Sequence, residues 1–180
     1  LPWYDFIIGF LTMMLIMAAV VAAFTHYLYG GLAFGNTGRR TTHAARIHLS
    51  LLFAALAIVR AVGYWLERYS MVTAVSKRMT GIRYTDANAT LPAKAILAVA
   101  ALMCALMFIA AIWTNTWRLP VVGVVLLTVT AVVVGGIFPA VMQSLKVDPS
   151  ESTVEQPYFK RNIEATLTAY GLDGIEKTSP

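Results

Sequence analysis

AKAILAVAALMCALMFIAAIW, residues 93–113, has one charged residue, Lys94 in its opening turn, and none afterwards. A spanning helix needs ~20 mostly apolar residues to cross the hydrocarbon of a bilayer, and this stretch supplies them. Upstream, Thr90 before Leu91-Pro92 offers a helix cap and a first-turn proline. Downstream, the short connector 114–118 (Thr-Asn-Thr-Trp-Arg) leads straight into a second apolar run, residues 119–142. So short a connector makes the two helices an antiparallel hairpin. In the second run, Pro120 suits a first turn, while Gly135, Gly136 and Pro139 predict a kink near the far end: a proline donates no backbone hydrogen bond, and its ring crowds the carbonyl four residues back. Such a bend serves a moving hinge in some membrane proteins and plain packing in others.

Two further runs lie N-terminal to these. Residues 6–29 contain only Thr12, Thr25 and His26 as polar positions, with Asp5 to cap the start, Gly30-Gly31 to end it, and Trp3, Tyr4, Tyr27 and Tyr29 at the two ends as aromatic belts. A polar connector, Gly35-Asn36-Thr37-Gly38-Arg39-Arg40-Thr41-Thr42-His43, returns the chain to the membrane. The next run, residues 47–66, contains Arg60. Its ten Leu, Ile, Phe or Val residues contribute about −0.3 to −0.6 kcal/mol each on the insertion scale, against at most ~+3.5 kcal/mol for a central arginine. Arg60 is off centre, and its stem reaches toward the end marked by Tyr64, Trp65, Glu67, Arg68 and Tyr69. The expected fold is therefore all-α, a polytopic bundle of four spans over residues 1–146.

Composition agrees. Of 180 residues, 58% are hydrophobic and 13% charged, where soluble domains carry ~25% charged residues. The net charge of +5 sits in the membrane part: residues 1–142 hold ten Lys/Arg against three Asp/Glu, residues 143–180 four against six. Basic residues beside spans meet headgroups, and no aromatic-basic interleaving points to nucleic acid, so lipids are the expected partner and nucleic acid is not. The single cysteine, Cys104, lies among Ala101, Leu102, Met103 and Leu106 and reads as an inert buried thiol. The start at Leu1, with neither Met nor a cleavable leader, reads as a piece of something longer.

The loop 67–91 is long for a helix connection and carries Arg68, Lys77, Arg78 and Arg83. After Met142 the chain turns polar. Residues 147–180 read as a solvated linker, Asp148-Pro149-Ser150-Glu151-Ser152-Thr153, and then an amphipathic helix from Pro157 to a stop at Gly171. Phe159, Ile163, Leu167 and Tyr170 form its apolar stripe, which expects a protein partner or a second copy, because its mixed-sign polar face disfavours lipid anchoring.

Among ionisable groups inside the spans, Arg60 stands out, since charge in hydrocarbon is expensive. It shares a helical face with Tyr64 and Glu67. These three are the candidate polar site, either for plain snorkelling and pairing or for an ion or substrate path. His26, His43 and His48 do not make a metal site by spacing, because His43 and His48 are five apart and no Cys or carboxylate sits at ligand distance. Ser50 lacks a glycine elbow. No cofactor, metal or catalytic residue is expected here. Asn88-Ala89-Thr90 reads as helix capping rather than a glycosylation site, and helix contacts are expected on Ala54, Ala57 and Ala61 rather than on GxxxG.

Gly63-Tyr64-Trp65-Leu66-Glu67-Arg68-Tyr69, Tyr84-Thr85-Asp86 with Leu91-Pro92, Arg118-Leu119-Pro120, Gly135-Gly136-Ile137-Phe138-Pro139-Ala140 and Pro157-Tyr158-Phe159-Lys160-Arg161-Asn162-Ile163-Glu164-Ala165-Thr166, ending in Ala169-Tyr170-Gly171, occur in order. This pattern resembles the large bacterial membrane proteins grouped as uncharacterised protein family 0182, over nearly the whole chain. Leu167-Thr168 departs from it, where the family more often has a basic residue. The resemblance implies a bacterial cell (inner) membrane protein with about three earlier spans, so that these are the last four of about seven, and a large extracytoplasmic region after them. It carries over no reaction, substrate or catalytic residue.

Charge alone leaves the orientation open. The connectors 30–46 and 114–118 together hold four Lys/Arg, and so does the loop 67–91. The resemblance places the tail outside. The expected role is a non-enzymatic membrane platform anchoring an extracytoplasmic domain in an envelope assembly. The alternative is a transporter or channel component working through Arg60 and the kinked fourth helix.

Overall fold

Each apolar run forms one long helix in the computed structural model, which describes residues 2–32, 41–71, 82–114 and 116–172. Residues 35–40 with Arg39 and Arg40, Lys77 and Arg78 of the long loop, and Asn115 lie outside the described residues. Helix α1 is Pro2–Leu28 and α2 is His43–Ser70. A π-helical turn, Asp86–Thr90, runs directly into α3, Leu91–Thr114. The fourth rod comprises α4, Arg118–Val132, a π turn Val133–Ile137, α5, Phe138–Met142, a π turn Gln143–Val147, a 3-10 turn Asp148–Ser150, and α6, Glu151–Val154. Helix α7, Gln156–Ala169, completes an all-α chain with no strand among the described residues. Four helices are long and apolar enough to cross a membrane: Trp3–Leu28, His43–Ser70, Asp86–Thr114 and Arg118–Val154.

Helix ends follow local chemistry. Gly30 (φ 69°) ends α1 in the left-handed conformation, with the Gly31 and Leu32 N–H groups donating to the His26 carbonyl. Gly171 (φ 66°) does the same after α7, where Leu172 N–H donates to the Leu167 carbonyl. Thr42 caps α2, its Oγ1 accepting from Ala45 N–H.

The prolines obey one rule inside the rods. Pro92, Pro139 and Pro149 each stand two residues after a π turn, which in every case contains the residue whose carbonyl the proline ring would strike, residues 88, 135 and 145. The wider turn moves that carbonyl aside and transfers bonding to an i→i−5 pattern, as in Leu91 N–H to Asp86 O, Phe138 N–H to Val133 O and Asp148 N–H to Gln143 O. The kink expected at Gly135, Gly136 and Pro139 thus takes the form of a π turn. Thr90 is not a cap: the helix is already under way at Tyr84. Asp148–Ser150 and Glu151–Val154 likewise extend the fourth rod where a solvated linker was expected.

The helices pack antiparallel, each on the next in sequence. Alanines make the close seam between α2 and α3, with Ala54, Ala57 and Ala61 buried on one side and Ala98, Ala101, Ala105 and Ala111 on the other. Phe53 stacks on Phe108 at 5.3 Å, beside buried Cys104. Gly123 lies so close to α3 that a Cβ would come within 3.1 Å of Met107 Sδ and 3.4 Å of Cys104 Cα, while one on Gly135 would meet Leu97 at 3.0 Å. Gly136 faces away, with nothing nearer than its own helix. Helices α1 and α4 present large apolar faces outward, among them Phe6, Phe10, Met13, Val121, Val125 and Val129, as lipid contact requires.

Gly123→Val should force α4 off α3 and cost about 1–3 kcal/mol, read as a lowered thermal midpoint in detergent. Gly136→Ala should leave the midpoint unchanged or slightly raised.

Candidate functional site

Arg60, Tyr64 and Glu67 recur at helical spacing on one face of α2, and the structure brings them together. Arg60 Nη2 lies 3.9 Å from Glu67 Oε1, and its guanidinium sits 4.8 Å above the centre of the Tyr64 ring. Lys94, from the opening of α3, joins them: its ammonium pairs with Glu67 Oε2 and lies 5.5 Å from the Tyr64 ring. One carboxylate therefore holds two cations from two helices, with an aromatic face beneath both. The side chains are a quarter to a third exposed, so the pairs are partly screened. Arg60 snorkels toward Glu67, as its stem length allows. Lys94 is the member that sequence spacing missed. The signal was present, since Glu67 is the only carboxylate between Asp5 and Asp86, so a cation opening the neighbouring span is a natural second partner for it. The arrangement ties α2 to α3.

A second polar group lies at the same end. Glu155, 4% exposed, accepts the Tyr84 backbone N–H on both carboxylate oxygens, each at 3.2 Å. The first N–H groups of a helix lack intrahelical partners and carry partial positive charge, so a carboxylate from 71 residues away caps the helix that becomes α3. Thr85 Oγ1 donates to Gln143 Oε1, and Gln143 Nε2 donates to Asp148 Oδ1 at 2.8 Å. Asn88, expected to cap a helix, instead donates from Nδ2 to the Tyr84 carbonyl at 2.9 Å and to the Tyr158 hydroxyl at 3.2 Å. Tyr84 and Tyr158 meet edge to face at 6.1 Å, and Lys146 lies 5.2 Å over the Tyr84 ring. These contacts clamp the fourth rod and the start of α7 onto the segment opening α3.

The stripe on α7 stays open. Ile163 is 54% and Tyr170 76% exposed, Phe159 and Leu167 are half-buried, and Phe159 and Ile163 line a shallow groove with Pro157 and Lys160. At the opposite end of the bundle the histidines separate as their spacing implies. His48 turns to His26, with Nδ1 3.3 Å from Nε2, while His43 Nδ1 accepts from Arg46 Nη2 at 3.1 Å. Among the described residues no three of His, Cys, Asp or Glu converge as a metal site would need.

The model of the uncharacterised protein family UPF0182 matches residues 1–179. The chain belongs to UPF0182. A UPF0182 protein of Streptomyces coelicolor is 45% identical over 181 residues, covering 98% of this chain and 18% of the relative. UPF0182 proteins of Kineococcus radiotolerans and Kocuria rhizophila are 45% and 44% identical, again over 18% of their own length. The chain therefore spans about a fifth of these UPF0182 relatives. No solved structure matches it.

Because Glu67 serves two cations, Glu67→Gln should destabilise the bundle by more than either Arg60→Gln or Lys94→Gln, by roughly 1–2 kcal/mol against ~0.5–1 for each cation alone. Denaturant titration in detergent checks the order. Equal losses for all three would mean the carboxylate is not the hub.

Proposed function

We propose that this UPF0182 segment is an integral membrane platform whose bundle anchors and orients a large extracytoplasmic domain in an envelope assembly. The clamp at Glu155 carries the reading. A chain that merely exits the membrane needs no buried carboxylate to fasten its exit to a neighbouring span, whereas an anchor must fix the direction in which the chain leaves. The clamp does this through one charge-assisted cap, two side-chain hydrogen bonds between spans and tail, and a tyrosine pair. The exposed stripe of α7 then faces the protein or second copy that completes the assembly. In this reading the tail lies outside, with the long loop 67–91 on the same side, and the Arg60–Glu67–Lys94 group is a structural tie.

A transport role for Arg60 is the second reading, favoured by its position within a span. The two separate on one comparison: under the platform reading, Arg60→Leu reduces any cellular phenotype only in proportion to the fall in protein level. Loss of a transport phenotype at an unchanged level would establish the second reading instead.

The platform reading also expects company. Purified from native membranes in mild detergent, the intact protein should carry a stoichiometric partner or self-associate, and Ile163→Asp on the open stripe should release it. A strictly monomeric particle without partners across several detergents would refute the assembly.

A further inference from the structure

The two ends of the bundle differ in where their carboxylates fall. No Asp or Glu occurs between Asp5 and Glu67, or between Asp86 and Asp148. The antiparallel order therefore gathers every carboxylate of the spans at one end and leaves the other with none. That other end carries His26, His43, Arg46 and His48 on α1 and α2, and Arg118 at the start of α4.

Arg46 is the unusual member. It is 5% exposed, its Nε has no hydrogen-bond partner, and no carboxylate faces it among the described residues. The described partner of its guanidinium is the imidazole of His43, a group that neutralises no charge. Its place in the helix worsens the imbalance. With Thr42 as the cap, Arg46 stands in the first turn and a half of α2, where the helix dipole is positive and no acidic residue offsets it. A cation there is disfavoured by the backbone as well as by burial.

What satisfies such a place is an anion, and the recognition groups are set for a tetrahedral one. A guanidinium with a free Nε–H can bond phosphate oxygens in a fork, and helix N-termini bind phosphate. The position is held by the turn behind it: Thr42 N–H and Oγ1 both donate to the Gly31 carbonyl, and a Cβ on Gly31 would stand tight against His26 and Thr42, at 3.2–3.3 Å. The site lies at the opening of a helix long and apolar enough to cross a membrane, and basic groups beside such a span meet anionic headgroups.

We propose that the first turn of α2, with Arg46 and His43, binds the phosphate of an anionic phospholipid headgroup at the carboxylate-free end of the bundle. Arg46 is the principal ligand and His43 holds its guanidinium in place.

The test titrates the intact protein in detergent with phosphatidylglycerol, phosphatidylcholine and inorganic phosphate, and counts retained ligand by native mass spectrometry. Phosphatidylglycerol should bind in preference to phosphatidylcholine, and inorganic phosphate in excess should not displace it. Arg46→Gln should weaken phosphatidylglycerol about tenfold, with Lys160→Gln, the same charge change on exposed α7, leaving it unaltered. Arg46→Lys, which keeps the charge but loses Nε, should fall between wild type and Arg46→Gln, and it decides the matter together with His43→Ala if Arg46→Gln does not accumulate. Displacement by inorganic phosphate would keep the phosphate site but make its ligand the free ion, overturning the headgroup assignment. Equal retention in wild type, Arg46→Gln and Arg46→Lys, or an equal loss in Lys160→Gln, would overturn the site itself.

Discussion

A backbone inside hydrocarbon has no water to satisfy its N–H and C=O groups, so each span must stay helical whatever its side chains demand. The rest of this structure works around that constraint. Three prolines sit within helical rods, and each is absorbed by a π turn that moves the crowded carbonyl without breaking the rod. With no hydrophobic effect to drive apolar helices together in lipid, close approach does the work instead, through the alanine seam of α2 and α3 and the contact of Gly123 and Gly135 with α3. Charged groups gather toward the two ends, and hydroxyls left within the spans, such as Thr12, Thr128 and Thr130, donate to carbonyls of their own helix.

Those ends are chemically unlike. One gathers the carboxylates: Glu67 binds two cations from neighbouring spans, and Glu155 caps the helix that becomes α3. It is also the end from which the tail leaves, so the ion pairs and the exit are parts of one construction. The other has cations and imidazoles but no acid among the described residues, and none of them gives buried Arg46 a counter-charge. The asymmetry follows from where Asp and Glu fall in the sequence, combined with antiparallel packing.

The spans were legible because hydropathy and length are local properties, and so were the stops at Gly30 and Gly171, where a positive φ is needed. The grouping of Arg60, Tyr64 and Glu67 followed from helical spacing alone. What escaped was set by groups distant in sequence. Nothing near Thr90 says that Glu155 will start that helix earlier by capping Tyr84, and nothing near Pro149 says that Gln143 will be held against the same segment and Val147 buried, in a rod that stays helical through a polar stretch. Lys94 was visible as a cation at a span's edge, but its partner belonged to another helix.

The proposed platform requires the four antiparallel spans to deliver the tail to the outer side of the membrane, opposite the connector between the last two. Single cysteines at Ser152 and Thr116, introduced into a Cys104→Ala background and probed in whole cells with a membrane-impermeant thiol reagent, test it directly. The account predicts labelling at position 152 in intact cells and at position 116 only after lysis. Labelling of both positions in intact cells, or of position 116 alone, would contradict it.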